Sequence, residues 1–286
     1  MKSPWPGRTA VPVFAALAAL TALAGCMPAS WGAGALLHPY RRHVTMPRPA
    51  GAEDLEVQSA GLRIRGWRFH SAGVRRGTVI YLHGSADNRT SGLFVAERFT
   101  RRGYDVVVYD SRAHGESEGE ACTYGYYEKQ DLRRVIDTVE PGPVAVIGVS
   151  LGGAVALQAA AADARIRTVI AVSTFSDLRT VATERAPRIA SKDDIEAAFR
   201  LAEATAHFQV DGVSPVASAR GITVPVLLVH GEDDHETPAA HSQRVFAALP
   251  GPRRLLLVPG AGHNDALRAE VWTAIEAWID EACPPR

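Results

Sequence analysis

The chain of 286 residues carries 31 basic and 31 acidic side chains, a formal net charge of zero, and 47% hydrophobic residues. That length supports one sizeable core, and the charge balance excludes both the basic excess of a nucleic-acid binder and the acidic excess of a disordered tail. Its 3 cysteines include no CxxC pair, which excludes a disulfide-stapled scaffold and argues against a structural zinc site or a thioredoxin-like function.

At the N-terminus, Lys2 and Arg8 precede the apolar run AVPVFAALAALTALAG, Ala10 to Gly25. The run is short and alanine-rich for a membrane span but suits the h-region of an export signal. It ends in LAGC, Leu23 to Cys26, which resembles the bacterial lipoprotein signal motif. The resemblance implies that residues 1–25 are removed and Cys26 is acylated. Its acyl chains would then hold the protein to a lipid bilayer in the bacterial envelope, facing the periplasm or the exterior. Ordinary secretion and an uncleaved anchor are the alternatives. Export also permits a disulfide between Cys122 and Cys283, although nothing in the sequence places them together.

Residues 26–51 are rich in proline, glycine and alanine and read as a tether with an irregular lead-in. From Asp54 to Phe69 the alternation of Leu55, Val57, Leu62, Ile64 and Trp67 predicts two antiparallel strands around Ala60-Gly61. Beyond Gly77 the pattern changes to dense apolar runs: TVIYLHG, VVVYD, PVAVIGVS, IRTVIAVS, VPVLLVHG and RRLLLVPG. Such runs predict strands buried on both faces of a parallel sheet. Helical patterns fall between them, at Leu93–Arg101, Glu128–Val139, Leu151–Ala162, Ala239–Ala248 and Leu267–Glu281. Strands alternating with helices predict an open α/β fold, mostly parallel and flanked by helices, over residues 52–286. From Thr174 to Arg220 no strand-like run occurs, and Asp193–His207 has a helical pattern. This interval predicts a small helical cap over the ligand crevice, with a plain surface excursion as the alternative.

The stretch IGVSLGGAVA places Ser150 between a buried strand and a helix, which is the setting of a G-x-S-x-G elbow. Gly148 and Gly152 relieve crowding at such a turn. The N–H of Leu151 would face a developing oxyanion at the helix N-terminus. A serine hydroxyl needs a base. His263, in PGAGHND after the last predicted strand, is the candidate, because strand C-termini gather at one sheet edge. A carboxylate must fix the imidazole tautomer, and HGEDDHETP offers Glu232, Asp233 and Asp234.

From about Asp54 to Ala282 the chain resembles the serine hydrolases of the α/β-hydrolase superfamily, small-cap esterase- or peptidase-like members in particular. The resemblance assigns the acid to Asp234 through the family's HGxxD pattern at His230 and Gly231. YLHGSADN is similar to the family's HG-x-x-x-N loop, which implies that His83 and Gly84 shape the turn. Ser85, or alternatively Ala86, would then supply the second oxyanion N–H. DSRAHGESEG resembles D-x-R-G-x-G-x-S with Ala113 in place of a glycine, and implies structural roles for Asp110, Arg112 and Ser117. YGYYEKQDL also resembles such members, its aromatics either lining the crevice or packing a helix start. The expected chemistry is hydrolysis of a small acyl substrate, most simply a carboxylic ester, through an acyl-enzyme on Ser150, with no cofactor or metal. Amide, peptide or thioester hydrolysis and a non-catalytic envelope binding protein are the alternatives.

Overall fold

The computed structural model describes residues 28–284, so the proposed signal segment and Cys26 lie outside the described residues. Eight strands form one sheet: β1 (Ala52–Ser59), β2 (Leu62–Phe69), β3 (Gly77–Leu82), β4 (Tyr104–Tyr109), β5 (Val144–Val149), β6 (Ile166–Val172), β7 (Val226–Gly231) and β8 (Arg253–Val258). Their order is β1-β2-β4-β3-β5-β6-β7-β8. β1 pairs antiparallel with β2, and β2 with β4, while every later pairing is parallel. The sequence patterns follow from these positions. β1 is an edge strand with alternating burial, whereas β3 and β4 are buried at every residue because helices cover both faces.

One face carries α3 (Glu128–Ile136), α4 (Leu151–Ala160) and α8 (Ala240–Ala248), packed through residues such as Leu132, Val155 and Val245 against Ile80, Val146 and Leu228. The other face carries α2 (Leu93–Thr100) and α9 (Ala269–Ala282), whose Phe99, Trp272 and Ile275 meet Val79, Val106 and Ile170. Cys122 belongs to the first core and Cys283 to the second, so the pair lies on opposite sides of the sheet and both thiols are free and buried. The disulfide that export would permit is therefore not formed.

Between β6 and β7 the predicted cap is a set of short helices: α5 (Leu178–Glu184), α6 (Lys192–Ala206), a 3-10 turn at Val210–Gly212 and α7 (Pro215–Ala219). A capping box between Ser191 and Asp194 starts α6. The cap has its own apolar cluster, including Phe175, Val181, Phe199 and Phe208.

The segment read as a tether departs from expectation. Ala29–Leu37 forms a helix, α1, with Ala33, Leu36 and Leu37 buried in the cap cluster. Its small residues, which suggested a linker, serve close packing: a Cβ at Gly32 would stand 2.6 Å from the Cβ of Ala198 on α6. Backbone and side-chain hydrogen bonds then hold the lead-in. The Cys122 N–H and the Tyr124 hydroxyl donate to the carbonyls of Leu37 and Leu36, and Arg41 donates to the carbonyls of Ser117 and Gly119.

Candidate active site

Ser150 joins β5 to α4 with φ 50° and ψ −110°, a backbone conformation costly for a residue with a Cβ. The surroundings hold it there. Its N–H donates to the Val172 carbonyl at 2.8 Å, and its own carbonyl accepts from the Thr174 hydroxyl at 3.2 Å. The flanking glycines answer to sterics. A Cβ at Gly148 would fall 2.2 Å from the Gly152 carbonyl oxygen, and one at Gly152 would fall 2.3 Å from that of Leu82. Leu151 begins α4 directly after the serine.

Loops after three different strands bring the partners to Ser150. His263 lies beyond β8, and its Nε2 is 3.1 Å from the Ser150 Oγ. Its Nδ1 donates to Asp234 Oδ2 at 2.7 Å, and Asp234 lies just after β7. Asp233 and Glu232 are exposed, whereas Asp234 is buried. The Asp234 carboxylate takes more than the His263 bond. Oδ2 also accepts from His230 Nε2 at 3.1 Å, and Oδ1 accepts from the N–H groups of Glu236 and Thr237 at 3.0 and 2.8 Å. Burial alone would raise its pKa, but the hydrogen bonds from His230, His263 and Thr237 outweigh burial and hold it well below the usual carboxylate range.

His230 is a residue that motif reading passed over as a marker. Its Nδ1 faces the Ser242 hydroxyl at 2.6 Å while Nε2 donates to the Thr237 carbonyl and to Asp234, so it fixes the acid's loop. Arg185, from the end of α5, also reaches the site. It donates to the Glu236 carbonyl and the Thr237 hydroxyl and lines the pocket over Ser150. Nothing in its local sequence marks it, because its partners are 51 and 52 residues away.

The loop after β3 places Gly84, Ser85 and Ala86 in that same pocket, with Ala86 at φ 58°. His83 supports the loop: Nδ1 donates to the Gly84 carbonyl at 2.7 Å and Nε2 accepts from the Ser111 N–H at 3.0 Å. Both nitrogens are thus engaged away from Ser150. Asn88 completes the loop, accepting from the Thr90 N–H and donating to the Arg42 carbonyl. Asp110, Arg112 and Ser117 tie neighbouring segments. Asp110 accepts from the Arg89 backbone and guanidinium, Arg112 makes a bidentate pair with Asp131 at 2.7 Å, and the Ser117 hydroxyl donates to the Asp110 carbonyl. Of the tyrosines, Tyr124 packs edge-on to Phe175 and lines a cap-side cavity, whereas Tyr126 packs against Phe208.

His114 is buried 5.1 Å from the His83 ring, with Nδ1 donating to the Arg112 carbonyl and Nε2 lacking a partner. Burial, then the neighbouring His83, lowers its pKa to about 4. In the unfolded chain His114 takes a proton as pH falls through about 6.5, while the folded one stays neutral. Stability from this group is therefore complete above that pH, declines as pH falls toward about 4, and falls no further below it, a loss of about 3 kcal/mol. Chemical denaturation at pH 7, 5.5 and 4.5 should show a slope of this sign, and His114→Gln should reduce it, with the buried His83 and His241, whose pKa values burial also lowers, supplying the remainder.

A mostly parallel sheet of eight strands, with a strand–serine–helix elbow at its carboxyl edge and helices on both faces, defines the α/β-hydrolase class of proteins. A family model described as alpha/beta hydrolase fold matches residues 77–209, and one described as TAP-like protein matches residues 197–281. YfhR, an uncharacterized protein of Escherichia coli (strain K12), is 30% identical over 233 residues, covering 77% of this chain and 76% of YfhR. The chain belongs to the alpha/beta hydrolase fold family. Among solved structures, the Pyrococcus furiosus esterase Pf2001 is similar with a TM-score of 0.69 and 21% identity, over 85% of this chain and 98% of that one. The Pyrococcus horikoshii acylaminoacyl peptidase is similar with a TM-score of 0.65 and 14% identity, over 82% of this chain and 42% of that one. These two likenesses are of fold.

Proposed function

We propose that the protein is a serine hydrolase that cleaves carboxylic esters through an acyl-enzyme. One observation carries the reading: the hydrogen-bonded line from the Ser150 Oγ through His263 to the buried Asp234. Ser150 attacks the ester carbonyl while His263 Nε2 accepts its proton. Asp234 holds the imidazole in the Nδ1–H tautomer and stabilises the imidazolium that forms. The N–H groups of Leu151 and Ser85 receive the oxyanion. His263 then protonates the leaving alcohol, and water repeats the sequence on the acyl-enzyme. The strained backbone at Ser150 supports this role, since such strain gathers where a side chain must be presented. The esterase Pf2001 shares the fold, and ester hydrolysis is the simplest use of the three groups.

The envelope anchor at Cys26 belongs to the same proposal. Trp31, five residues further on, is 70% exposed on α1, and a tryptophan there suits a membrane–water interface. One experiment reads both parts. A fluorophosphonate probe is applied to membrane and soluble fractions of cells making the full chain, Ser150→Ala or Cys26→Ala. The expected result is a labelled band in the membranes that vanishes in Ser150→Ala and moves to the soluble fraction in Cys26→Ala. An unlabelled, folded wild-type protein would sink the hydrolase reading. Membrane retention of Cys26→Ala would sink the anchor.

A further inference from the structure

The site is flanked by two different hollows. On the cap side, a cavity of ≈ 310 Å³ lies between α1, α5 and α6. On the other side, a cavity of ≈ 330 Å³ lies beneath α2 and the start of α9. The pocket over Ser150 shares Ser85 and Arg185 with the first, and Asp87, Val149, His263 and Asn264 with the second. The two halves of an ester are distinguishable at this junction. His263 must deliver its proton to the leaving oxygen, so the leaving group belongs on the imidazole side. At the tetrahedral carbon the acyl chain diverges from the leaving oxygen, and away from His263 the pocket over Ser150 continues past Ser85 and Arg185 into the first cavity.

Resting on the ester-hydrolase reading above, we propose that the cap-side cavity is the acyl pocket and that α1 sets the chain length it accepts. The substrate would then be an ester of an apolar, medium-length acyl chain. Leu36, Leu178, Val181, Ile195 and Phe199 line the cavity, and an alkyl chain is the ligand such walls favour. The polar residues there have other engagements. Arg185 is hydrogen-bonded to the Glu236 carbonyl and the Thr237 hydroxyl, and Asp194 closes the capping box of α6. The opposite cavity is mixed, with Asp87, Ser91 and Asn264 beside Phe94 and Trp272, and is the poorer place for an alkyl chain. α1 forms one wall of the acyl pocket because Gly32 lets it lie close on α6, and the Tyr124 hydroxyl holds the Leu36 carbonyl.

The test uses the full chain and p-nitrophenyl acetate, butyrate, hexanoate and octanoate. Wild-type kcat/KM is expected to rise about fourfold per methylene until the pocket is filled. Ala35 lines the cavity at an exposed position on α1, so Ala35→Trp can narrow it without disturbing the core. That variant should lose about tenfold or more on the octanoate while the acetate changes by less than about twofold. Chain binding is read separately on Ser150→Ala with dansyl-undecanoic acid, which octanoate should displace and Ala35→Trp should weaken. Ser150-dependent hydrolysis with a flat chain-length profile, or a profile that Ala35→Trp leaves unchanged, overturns the acyl pocket and leaves the hydrolase reading standing. Absence of hydrolysis on every ester, with dansyl-undecanoic acid bound and blocked by Ala35→Trp, overturns the hydrolase reading and keeps the chain site. Absence of both removes the two together.

Discussion

Ser150→Ala is expected to lower kcat on p-nitrophenyl esters by roughly 10⁴- to 10⁶-fold while KM changes little. The size follows from the absence of a substitute: the hydroxyl whose Oγ lies 3.1 Å from His263 Nε2 is the group that would bond to the substrate, so its loss removes the acyl-enzyme route. The residual rate would come from oxyanion donors and binding, which the substitution leaves in place. The fold should persist. Alanine keeps the same Cβ at φ 50°, so the strain of the elbow is neither relieved nor increased, and the backbone bond from position 150 to the Val172 carbonyl is unaffected. Steady-state kinetics, with a thermal melt to confirm folding, measure the effect. A loss of less than about 100-fold in a folded variant would place the nucleophile elsewhere.

The features most legible in the sequence are those fixed by short stretches. Strands covered on both faces need apolar residues throughout, so β3, β4 and β7 stand out as dense runs. β1, covered on one face only, reads as an alternation. The elbow is readable because its glycines and its serine are adjacent in the chain, and the crowding that demands Gly148 and Gly152 arises between neighbours and the next strand. Less legible are features made by contacts between distant segments. α1 is composed of the residues of a linker and becomes a helix with a buried side only because the cap, more than 140 residues later, supplies its partner. His230 resembles a motif marker until Ser242 and Thr237 fold around it. Arg185 acquires a role through the carbonyl of Glu236 and the hydroxyl of Thr237. The three residues proposed to act together were foreseeable as a set because their loops all leave the same edge of a parallel sheet. The choice among Glu232, Asp233 and Asp234 rested on a family resemblance, since three neighbouring acids cannot be ranked by spacing.

Asp234→Asn is expected to lower kcat by about 10⁴-fold, and Asp233→Asn to leave it within about twofold. The carboxylate at 234 can only accept, which obliges His263 to carry its proton on Nδ1 and leaves Nε2 free to take the proton of Ser150. An asparagine can turn its amide N–H toward Nδ1. The imidazole then carries its proton on Nε2, facing Ser150 with a donor where an acceptor is needed. The carboxamide also carries no charge to stabilise the imidazolium. The surrounding bonds set that orientation, because the N–H groups of Glu236 and Thr237 still require an acceptor at Oδ1, which leaves the amide nitrogen facing the two histidines. Asp233, which is exposed, offers no such constraint. Parallel kcat measurements on the two variants decide the assignment: equal losses, or a larger loss at 233, would transfer the acid's role away from Asp234.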